Sequence, residues 1–307
     1  MPPERTRLIN GQFTADPSAH VFDCKLWFFP SHDQDNASGF NMVDYHAFSL
    51  GEDGSFKDEG QILHLNDVPW ASQYAWAPDI AYKNNKYFFY FPAKDNSGVF
   101  HMGVAIADSP AGPYKAEAQP MPDSFSIDPA VFVDDDGKAY MYFGGQWGGQ
   151  LECYNSGSYN KSDCSDDNGN GGSGDGKPRV AQLADNMKEF SGGVKEVNLT
   201  GSPQRFFEGS WVHKYDGKYY FSYSDGPNHQ LHYAMGDSPM GPFTYKGVLL
   251  PDHGQGWTTH HSVLEFQGKW YLFYHDSACS NGNTNQRCVK YASLSYNADG
   301  TIQRVQP

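Results

Sequence analysis

One unit recurs five times along the 307-residue chain: a polar residue, a short apolar run, a turn containing Asn, Asp or Gly, and an aromatic run. The copies begin at residues 15, 77, 126, 208 and 260, and residues 126–145 (SIDPAVFVDDDGKAYMYFGG) show the pattern in full. Asp-Gly between two apolar runs is a strong hairpin signal. Each copy is therefore predicted to form a β-hairpin.

The spacing of the five units indicates the architecture. Their polar heads are Asp16, Asp79, Asp128, Glu208 and His260, at intervals of 63, 49, 80 and 52 residues. A period of about 50 residues with four strands per unit is typical of a β-propeller. The longest interval contains a polar, Gly-rich insertion that belongs on a loop. The sequence predicts an all-β, five-bladed propeller that forms a single domain over residues 1–307.

The polar heads are expected to meet in space. The innermost strand of each propeller blade lines the central axis, so residues that head these strands point into one funnel. Any single head could simply cap a turn, because Asp and its neighbours are common there. Turn capping, however, requires no common register. The repeat therefore favours a functional site in the central funnel, built from four carboxyl groups and one imidazole.

Charge and hydropathy exclude two classes of partner. The formal net charge is −14, which argues against nucleic acid, because its phosphates require Lys and Arg for neutralisation. The charge suits a neutral, polyhydroxylated ligand or a cation. The sequence has no run of about 18 apolar residues, so no membrane-spanning helix is expected.

The five cysteines suggest a compartment. Cys153 and Cys164 bracket a polar stretch, Cys279 and Cys288 bracket another, and Cys24 is left over. Two loop-closing disulfides would indicate an oxidising compartment, such as the periplasm or the extracellular medium. The start, MPPERTRLINGQ, lacks the apolar core of a signal peptide, so this expectation requires that a leader was removed. A cytosolic protein with unpaired thiols is the alternative.

Five short motifs carry a resemblance to a known family. They are ADPS (15–18), FPSHD (29–33), WAPDI (76–80), SIDPAVF (126–132) and EGSW (208–211). In this order, and each in a strand context, they resemble glycoside hydrolase family 43, the five-bladed propeller glycosidases. The resemblance covers nearly the whole chain. It implies an inverting, exo-acting hydrolase of xylan-derived oligosaccharides, with β-xylosidase and α-L-arabinofuranosidase activity.

The resemblance also implies catalytic roles. Asp16 would be the general base, Glu208 the general acid, and Asp128 the residue that orients Glu208 and raises its pKa. Inversion requires two carboxyl groups about 6.5–9.5 Å apart, with room for a water molecule. A third carboxyl group keeps the acid protonated near neutral pH, because like charges disfavour ionisation.

Three further residues are candidate substrate contacts. Trp76 and Arg287 resemble the family's platform tryptophan and its subsite arginine, and His32 follows the first aromatic strand. A sugar stacks its C–H faces on an indole, and a guanidinium offers a fork of donors to hydroxyl groups or a carboxylate. The alternatives are core packing for Trp76, a surface position for Arg287 and a loop hydrogen bond for His32.

His260 is the candidate metal ligand. Members of the resembled family often carry calcium on the propeller axis, held by one histidine and water, and His260 matches that position. The alternative is a ring that is hydrogen-bonded to water or a carboxylate. The stretch WTTHHSV lacks two further spaced ligands, so zinc-dependent hydrolysis is not predicted.

Two other functions remain open at this point. An endo-arabinanase of the same fold would need an open groove, whereas the insertion within residues 151–178 could close one side and favour a pocket. A non-catalytic propeller lectin would repeat the same binding residue around the ring. The heads here differ (Asp, Asp, Asp, Glu, His), which favours divided roles and hence an enzyme.

Overall fold

The computed structural model describes residues 1–155, 158–164, 176–202, 206–226, 228–252 and 255–307. Strands dominate these residues. The helical segments among them are single 3₁₀ turns at Leu65–Asp67, Leu151–Cys153, Lys161–Asp163 and Ala278–Ser280. In the described residues no helix has the length and apolar character needed to cross a membrane.

The strands form five blades, which confirms the predicted propeller. Blade I contains β1 (Phe13–Phe22), β2 (Lys25–Asp33), β3 (Asp44–Leu50) and β4 (Phe56–His64), paired antiparallel in that order. Blade II contains β5 (Ala71–Gln73), β6 (Asp79–Lys83), β7 (Lys86–Asp95), β8 (Phe100–Ala107) and β9 (Lys115–Ala116), with β5 and β6 both paired to β7.

Blade III carries the insertion. Its sheet contains β10 (Ala130–Val133), β11 (Ala139–Phe143), β14 (Arg179–Gln182) and β15 (Lys195–Glu196), and the hairpin of β12 (Tyr154–Asn155) and β13 (Ser158–Tyr159) precedes β14. Residues 156–157 and 165–175 of the insertion, which was expected to close one side of the site, lie outside the described residues.

Blades IV and V complete the ring. Blade IV contains β16 (Leu199–Thr200), β17 (Glu208–Tyr215), β18 (Lys218–Ser224), β19 (Leu231–Gly236) and β20 (Phe243–Leu250), and β16 is parallel to β20. Blade V contains β21 (His261–Phe266), β22 (Lys269–Asp276) and β23 (Cys288–Leu294).

The first segment of the chain closes the propeller. The backbone N–H groups of Arg5 and Leu8 donate to carbonyl groups of β23 at 2.9 and 3.0 Å, and that of Thr14 donates to the carbonyl of Arg287, just before β23, at 2.9 Å. The segment that leads into blade I is therefore bonded to the outer strand of blade V. The inner strands β1, β6, β10, β17 and β21 each contact the inner strands of the adjacent blades, so they surround one axis.

Aromatic side chains fill the spaces between blades. Between blades V and I, Phe28, Phe48 and Phe273 are fully buried, and the rings of Phe28 and Phe48 stack with centroids 4.9 Å apart. Large rings suit the pleated faces of packed sheets. This is why a chain with 21 Phe and 20 Tyr residues can build its core from strands alone.

The cysteine pairing follows the prediction. Cys153 is bonded to Cys164 and Cys279 to Cys288, and Cys24 is free and exposed. The first disulfide holds two turns of the insertion together. The second anchors the turn Ala278–Ser280 to the start of β23, directly beside Arg287.

Candidate active site

A pocket opens at the end of the propeller where the inner strands begin. It encloses about 460 Å³ of empty space, with the solvent at its mouth included. Its lining mixes carboxyl groups, aromatic rings and a buried arginine: Asp16, Phe40, Met42, Trp76, Ala77, Ile127, Asp128, Gln146, Trp147, Glu208, Trp257, Thr258, His260 and Arg287. Six of the eight residues singled out from the sequence are in this set, and Asp79 and His32 are not.

Irregular backbone turns the catalytic candidates toward the pocket. Asp16 lies inside β1 rather than ahead of it, at a bulge between Ala15 and Ser18, with a φ of 50°. Asp128 has a φ of 58° and lies two residues before β10. Glu208 starts β17, beside a second irregularity. A bulge re-aims a side chain, and left-handed non-glycine residues cluster at functional sites.

Asp16 is held as an anion by fixed donors. Its Oδ2 accepts a hydrogen bond from Ser31 Oγ at 2.6 Å, and its Oδ1 accepts one from Arg287 Nη1 at 3.0 Å. The backbone N–H of Asp16 donates to His275 Nδ1 at 2.9 Å. Only 6% of the residue is exposed, so these bonds fix the carboxylate rigidly at the pocket wall.

The pKa of Asp16 falls despite burial. Burial alone would raise the pKa, but the charges of Arg287, His275 and His260 and the bond from Ser31 outweigh burial and lower it to about 2. The pKa of His275 is itself lowered to about 3, chiefly by burial. The guanidinium of Arg287 therefore supplies the positive charge that persists at neutral pH. Asp16 is ionised there and can accept a proton.

Glu208 has the opposite electrostatics. Burial first, and then the negative charges of Asp128 and Asp16, raise its pKa well above the ordinary range. The pKa of Asp128 is also raised, by burial and by Asp16, while the backbone N–H of Gly209 opposes the rise with a hydrogen bond to Asp128 Oδ2 at 3.1 Å. Asp128 and Glu208 thus titrate as a pair that tends to retain a proton, which suits Glu208 to donate one.

Arg287 is buried, and most of its hydrogen bonds are to carboxylates. Its backbone N, Nε and Nη2 donate to Asp33 at 2.8, 2.9 and 2.8 Å, and its Nη1 bonds Asp16 and Thr258 Oγ1. Only 3% of Arg287 is exposed, so it is not a surface arginine. Its first task is to position the carboxylate of Asp16.

Trp76 faces the pocket within an aromatic wall. Its Nε1 donates to the carbonyl of Phe40 at 2.7 Å, and its ring lies 4.8 Å from that of Phe100. The ring of Phe40 packs between Trp76 and the guanidinium of Arg287, which lies 4.9 Å from the Phe40 centroid. The indole orientation is thereby fixed, as a stacking platform requires.

Asp79 holds inner strands together and does not line the pocket. Its carboxylate accepts hydrogen bonds from Ser18 Oγ at 2.5 Å, from the backbone N–H of Val131 at 2.5 Å and from its neighbour Ile80 at 2.8 Å, and it contacts His20 Nε2 at 2.7 Å. These partners belong to β1, β6 and β10. Asp79 therefore links the inner strands of blades I, II and III.

His32 lies outside the pocket lining. Its Nδ1 is 2.8 Å from Asp44 Oδ1, and its ring is 5.3 Å from that of His46. Because side chains alternate along β2, Ser31 and Asp33 take the face toward Asp16 and Arg287, and His32 takes the other. The alternation of side chains along a strand could have shown, from FPSHD alone, that His32 faces away from Ser31 and Asp33.

Several lining residues were missed by sequence reasoning. The rings of Trp147 and Trp257 stack at the mouth with centroids 5.9 Å apart, and Phe207 meets both edge-on. Trp147 and Trp257 are 45% and 39% exposed. Both come from loops outside the repeating unit, so the repeat could not reveal them: Trp147 follows β11 of blade III, and Trp257 lies between β20 of blade IV and β21 of blade V.

A rigid carboxylate and a carboxyl group of raised pKa line one pocket that is walled by aromatic rings, which are the groups that hydrolysis of a glycosidic bond requires. Comparison with known proteins agrees. The model of glycosyl hydrolases family 43 matches residues 9–302. The chain belongs to this family.

Similar proteins are related over their whole length. Xylosidase/arabinosidase 43A of Humicola insolens is 49% identical, with 98% of this chain and 99% of the relative covered. A xylosidase/arabinosidase of Bacteroides ovatus is 46% identical, with 100% and 99% covered. A solved family 43 β-xylosidase/α-arabinofuranosidase from a compost metagenome, in complex with xylotriose and in a calcium-free form, is 48% identical, with a TM-score of 0.93 and 99% and 98% covered.

Proposed function

We propose that this hydrolase removes terminal β-xylosyl and α-L-arabinofuranosyl groups from xylan-derived oligosaccharides with inversion of the anomeric carbon. One observation carries the proposal: carboxyl groups of opposite character line the same pocket. The pKa of Asp16 is lowered to about 2, and that of Glu208 is raised well above its usual range. Environments that push two pKa values apart are how acid and base roles are divided.

The roles follow from these protonation states. Asp16 accepts a proton from the water that attacks the anomeric carbon, and Glu208 donates its proton to the departing glycosidic oxygen. The charge of Asp128 keeps Glu208 protonated until that transfer. Arg287 prevents Asp16 from rotating and lowers its pKa. All four side chains line the pocket, so no domain movement is needed to assemble them.

The pocket supports a substrate with a small terminal sugar. Trp76 provides a flat surface for the C–H face of a pentose, and Arg287 and Gln146 add polar groups to the lining of the same pocket. The stacked Trp147 and Trp257 at the mouth suit the next sugar of the chain. The similar proteins of Humicola insolens and Bacteroides ovatus are xylosidase/arabinosidases, which supports the same substrates, xylosides and arabinosides.

The stereochemical outcome tests the mechanism. With Asp16 as base and Glu208 as acid, an aryl β-xyloside is expected to release α-xylose first, which proton NMR resolves before mutarotation. Hydrolysis of the aryl α-L-arabinofuranoside, measured in parallel, gives the ratio of the two activities. Initial release of β-xylose would mean a covalent intermediate and carboxyl groups only about 5–5.5 Å apart, which contradicts the assigned roles.

Asp128→Asn is expected to move the alkaline limb of the pH–kcat profile to lower pH. The variant removes a negative charge that raises the pKa of Glu208, and the acid must be protonated to work. With a lower pKa, Glu208 loses its proton at lower pH, so activity falls earlier as pH rises. Asp95→Asn, outside the pocket lining, is the control. An alkaline limb that does not move would remove the proposed role of Asp128.

A calcium ion is proposed at His260. The residue is 9% exposed, and its Nδ1 lies 3.6 Å from Asp16 Oδ1 and 3.9 Å from Asp128 Oδ2. Burial, as the largest cause, lowers the pKa of His260, so the neutral ring offers a lone pair near two carboxyl groups. These residues fit a cation, and bound calcium would offset the concentrated negative charge.

Chelator treatment tests the His260 site. In enzyme depleted of metal by EDTA and then freed of the chelator, we expect added calcium to raise the thermal midpoint or kcat, and His260→Ala to abolish this response to calcium. His101→Ala, which changes a histidine outside the pocket, should respond as the wild type does. A wild-type enzyme indifferent to both EDTA and calcium would overturn the assignment.

The proposed site of action is an oxidising compartment, the periplasm or the extracellular medium. Two disulfides support it, because such bonds are rare where thiols are kept reduced. Polymeric or oligomeric xylan fragments would also be met there. Cys24 is exposed and free and forms neither of these disulfides.

A further inference from the structure

Three metal-ligating side chains meet on blade I outside the catalytic pocket. His32, Asp44 and His46 each offer one ligand atom, and these atoms lie within 4.8 Å of one another. No role in hydrolysis has been given to Asp44 or His46, and none of the three lines the pocket. We propose that they form a binding site for a divalent transition-metal ion of the Zn²⁺ class.

The strand register brings the three residues together. β2 and β3 are antiparallel, and Ser31 is paired with Tyr45, which places His32 opposite Asp44. Asp44 and His46 are two residues apart on β3, so their side chains leave the same face of the sheet. A site built on two paired strands is more rigid than one built on loops.

The distances suit a tetrahedral ion. His32 Nδ1 is 2.8 Å from Asp44 Oδ1, and Asp44 Oδ2 is 3.7 Å from His46 Nε2. Ligands at about 2.0–2.2 Å from a tetrahedral Zn²⁺ are separated by about 3.3 Å. The observed separations lie on both sides of this value, so small side-chain rotations suffice. The ion would replace the hydrogen bond between His32 Nδ1 and Asp44 Oδ1.

A second carboxylate orients His46. Both Asp58 oxygens lie 3.0 Å from His46 Nδ1, which leaves Nε2 directed at Asp44. Asp58 is itself fixed by the backbone N–H of Gly60 and by Gln12 Nε2, both at 2.8 Å. A carboxylate that holds the far nitrogen of a ligating histidine is the usual second partner at zinc sites.

The ligand set selects the kind of metal. Two imidazoles and one carboxylate favour zinc and related transition metals, whereas calcium prefers six to eight oxygen ligands. The side chains of His32, Asp44 and His46 are 21%, 11% and 18% exposed. Solvent can thus reach the site and supply a fourth ligand. The site is distinct from the one proposed at His260.

Metal binding at this site would stabilise β2, which supplies contacts to Asp16 and Arg287. His32 stands between Ser31, which donates to Asp16, and Asp33, which binds Arg287. An ion that clamps β2 to β3 is therefore expected to raise the thermal midpoint. Because His32 leaves β2 on the face opposite Ser31 and Asp33, and Asp44 and His46 lie on β3 outside the pocket lining, hydrolysis itself does not require the ion.

Calorimetric titration with Zn²⁺ tests the proposal, with the full chain depleted of metal and Cys24→Ser as the background to remove the free thiol. We expect one Zn²⁺ per chain. His46→Ala should weaken binding at least about 100-fold and Asp58→Asn about 10–100-fold, in keeping with loss of a ligand and of its orienting partner. His101→Ala is the matched control, since His101 pairs with Asp95 at 3.1 Å but belongs to no ligand group in the described residues.

Two measurements keep the result interpretable. Hydrolysis of an aryl xyloside and the thermal midpoint without metal show whether each variant is folded, and His46→Gln replaces His46→Ala if it is not. The visible spectrum of the Co²⁺-loaded background should show tetrahedral bands that His46→Gln removes. Absence of these bands in the background protein, or equal Zn²⁺ affinity in the His46 and His101 variants, overturns the proposal. Retention of the site in His260→Ala would separate it from the calcium site.

Discussion

Glu208→Ala and Asp16→Ala are each expected to lower kcat on an unactivated xylo-oligosaccharide about 10³-fold, within the 10²–10⁴-fold range of general acid or base help. In Glu208→Ala the leaving oxygen departs without a proton. In Asp16→Ala the attacking water keeps its proton until late. Steady-state hydrolysis of xylotriose by purified variants measures both losses.

A better leaving group separates the two roles. A dinitrophenyl xyloside needs no protonation to depart, so it should partly restore the rate of Glu208→Ala and leave Asp16→Ala impaired. Glu265→Ala is the matched control. Glu265 is exposed and lies near the far end of the inner strand β21, away from the pocket. If both pocket variants keep nearly the wild-type kcat, the pocket is not the catalytic site.

The repeat was sufficient to predict the propeller because its two signals are local. Apolar runs around a turn specify a hairpin, and their regular recurrence specifies blades. The heads Asp128, Glu208 and His260 accordingly lie where the inner strands begin. Asp16 differs, because the bulge in β1 places it inside the strand. A bulge adds a residue without changing the apolar alternation enough to be seen in one sequence.

The partners of the catalytic residues could not be predicted in the same way. Asp33 and Arg287 are separated by 254 positions, and their contact exists only because the first segment of the chain closes the ring against β23. Trp147 and Trp257 meet for a similar reason: their loops follow strands of different blades. Local patterns specify strands, whereas contacts across the ring depend on how the blades are arranged around the axis.

The three predicted substrate contacts also differ in outcome: two of them line the pocket and one does not. Trp76 and Arg287, which the family resemblance indicated, both line the pocket: Trp76 precedes the inner strand β6, and Arg287 directly precedes β23. His32 is one residue from two side chains that serve the pocket, but strand alternation turns it to the other face. A motif therefore indicates which part of the fold lies near the site. The alternation of side chains along the strand then decides which residues of the motif reach the site.

Asp33→Asn is expected to cost about 3–5 kcal/mol of unfolding free energy, the usual result of removing one partner from a buried ion pair. Asp33 is 1% exposed and binds Arg287 through both oxygens. Without its charge, the guanidinium keeps only Asp16 as a carboxylate partner. Denaturant unfolding of the variant, followed by tryptophan fluorescence, measures the loss.

An exposed ion pair provides the comparison. Lys218 and Asp237 are 2.6 Å apart with side chains 53% and 84% exposed, so Asp237→Asn should change stability by at most about 1 kcal/mol. Equal effects of Asp33→Asn and Asp237→Asn would show that the pair does not anchor this wall. If the pair does anchor it, Arg287, which lowers the pKa of the proposed base Asp16, also holds blade I to blade V, and stability and catalysis depend on the same arginine.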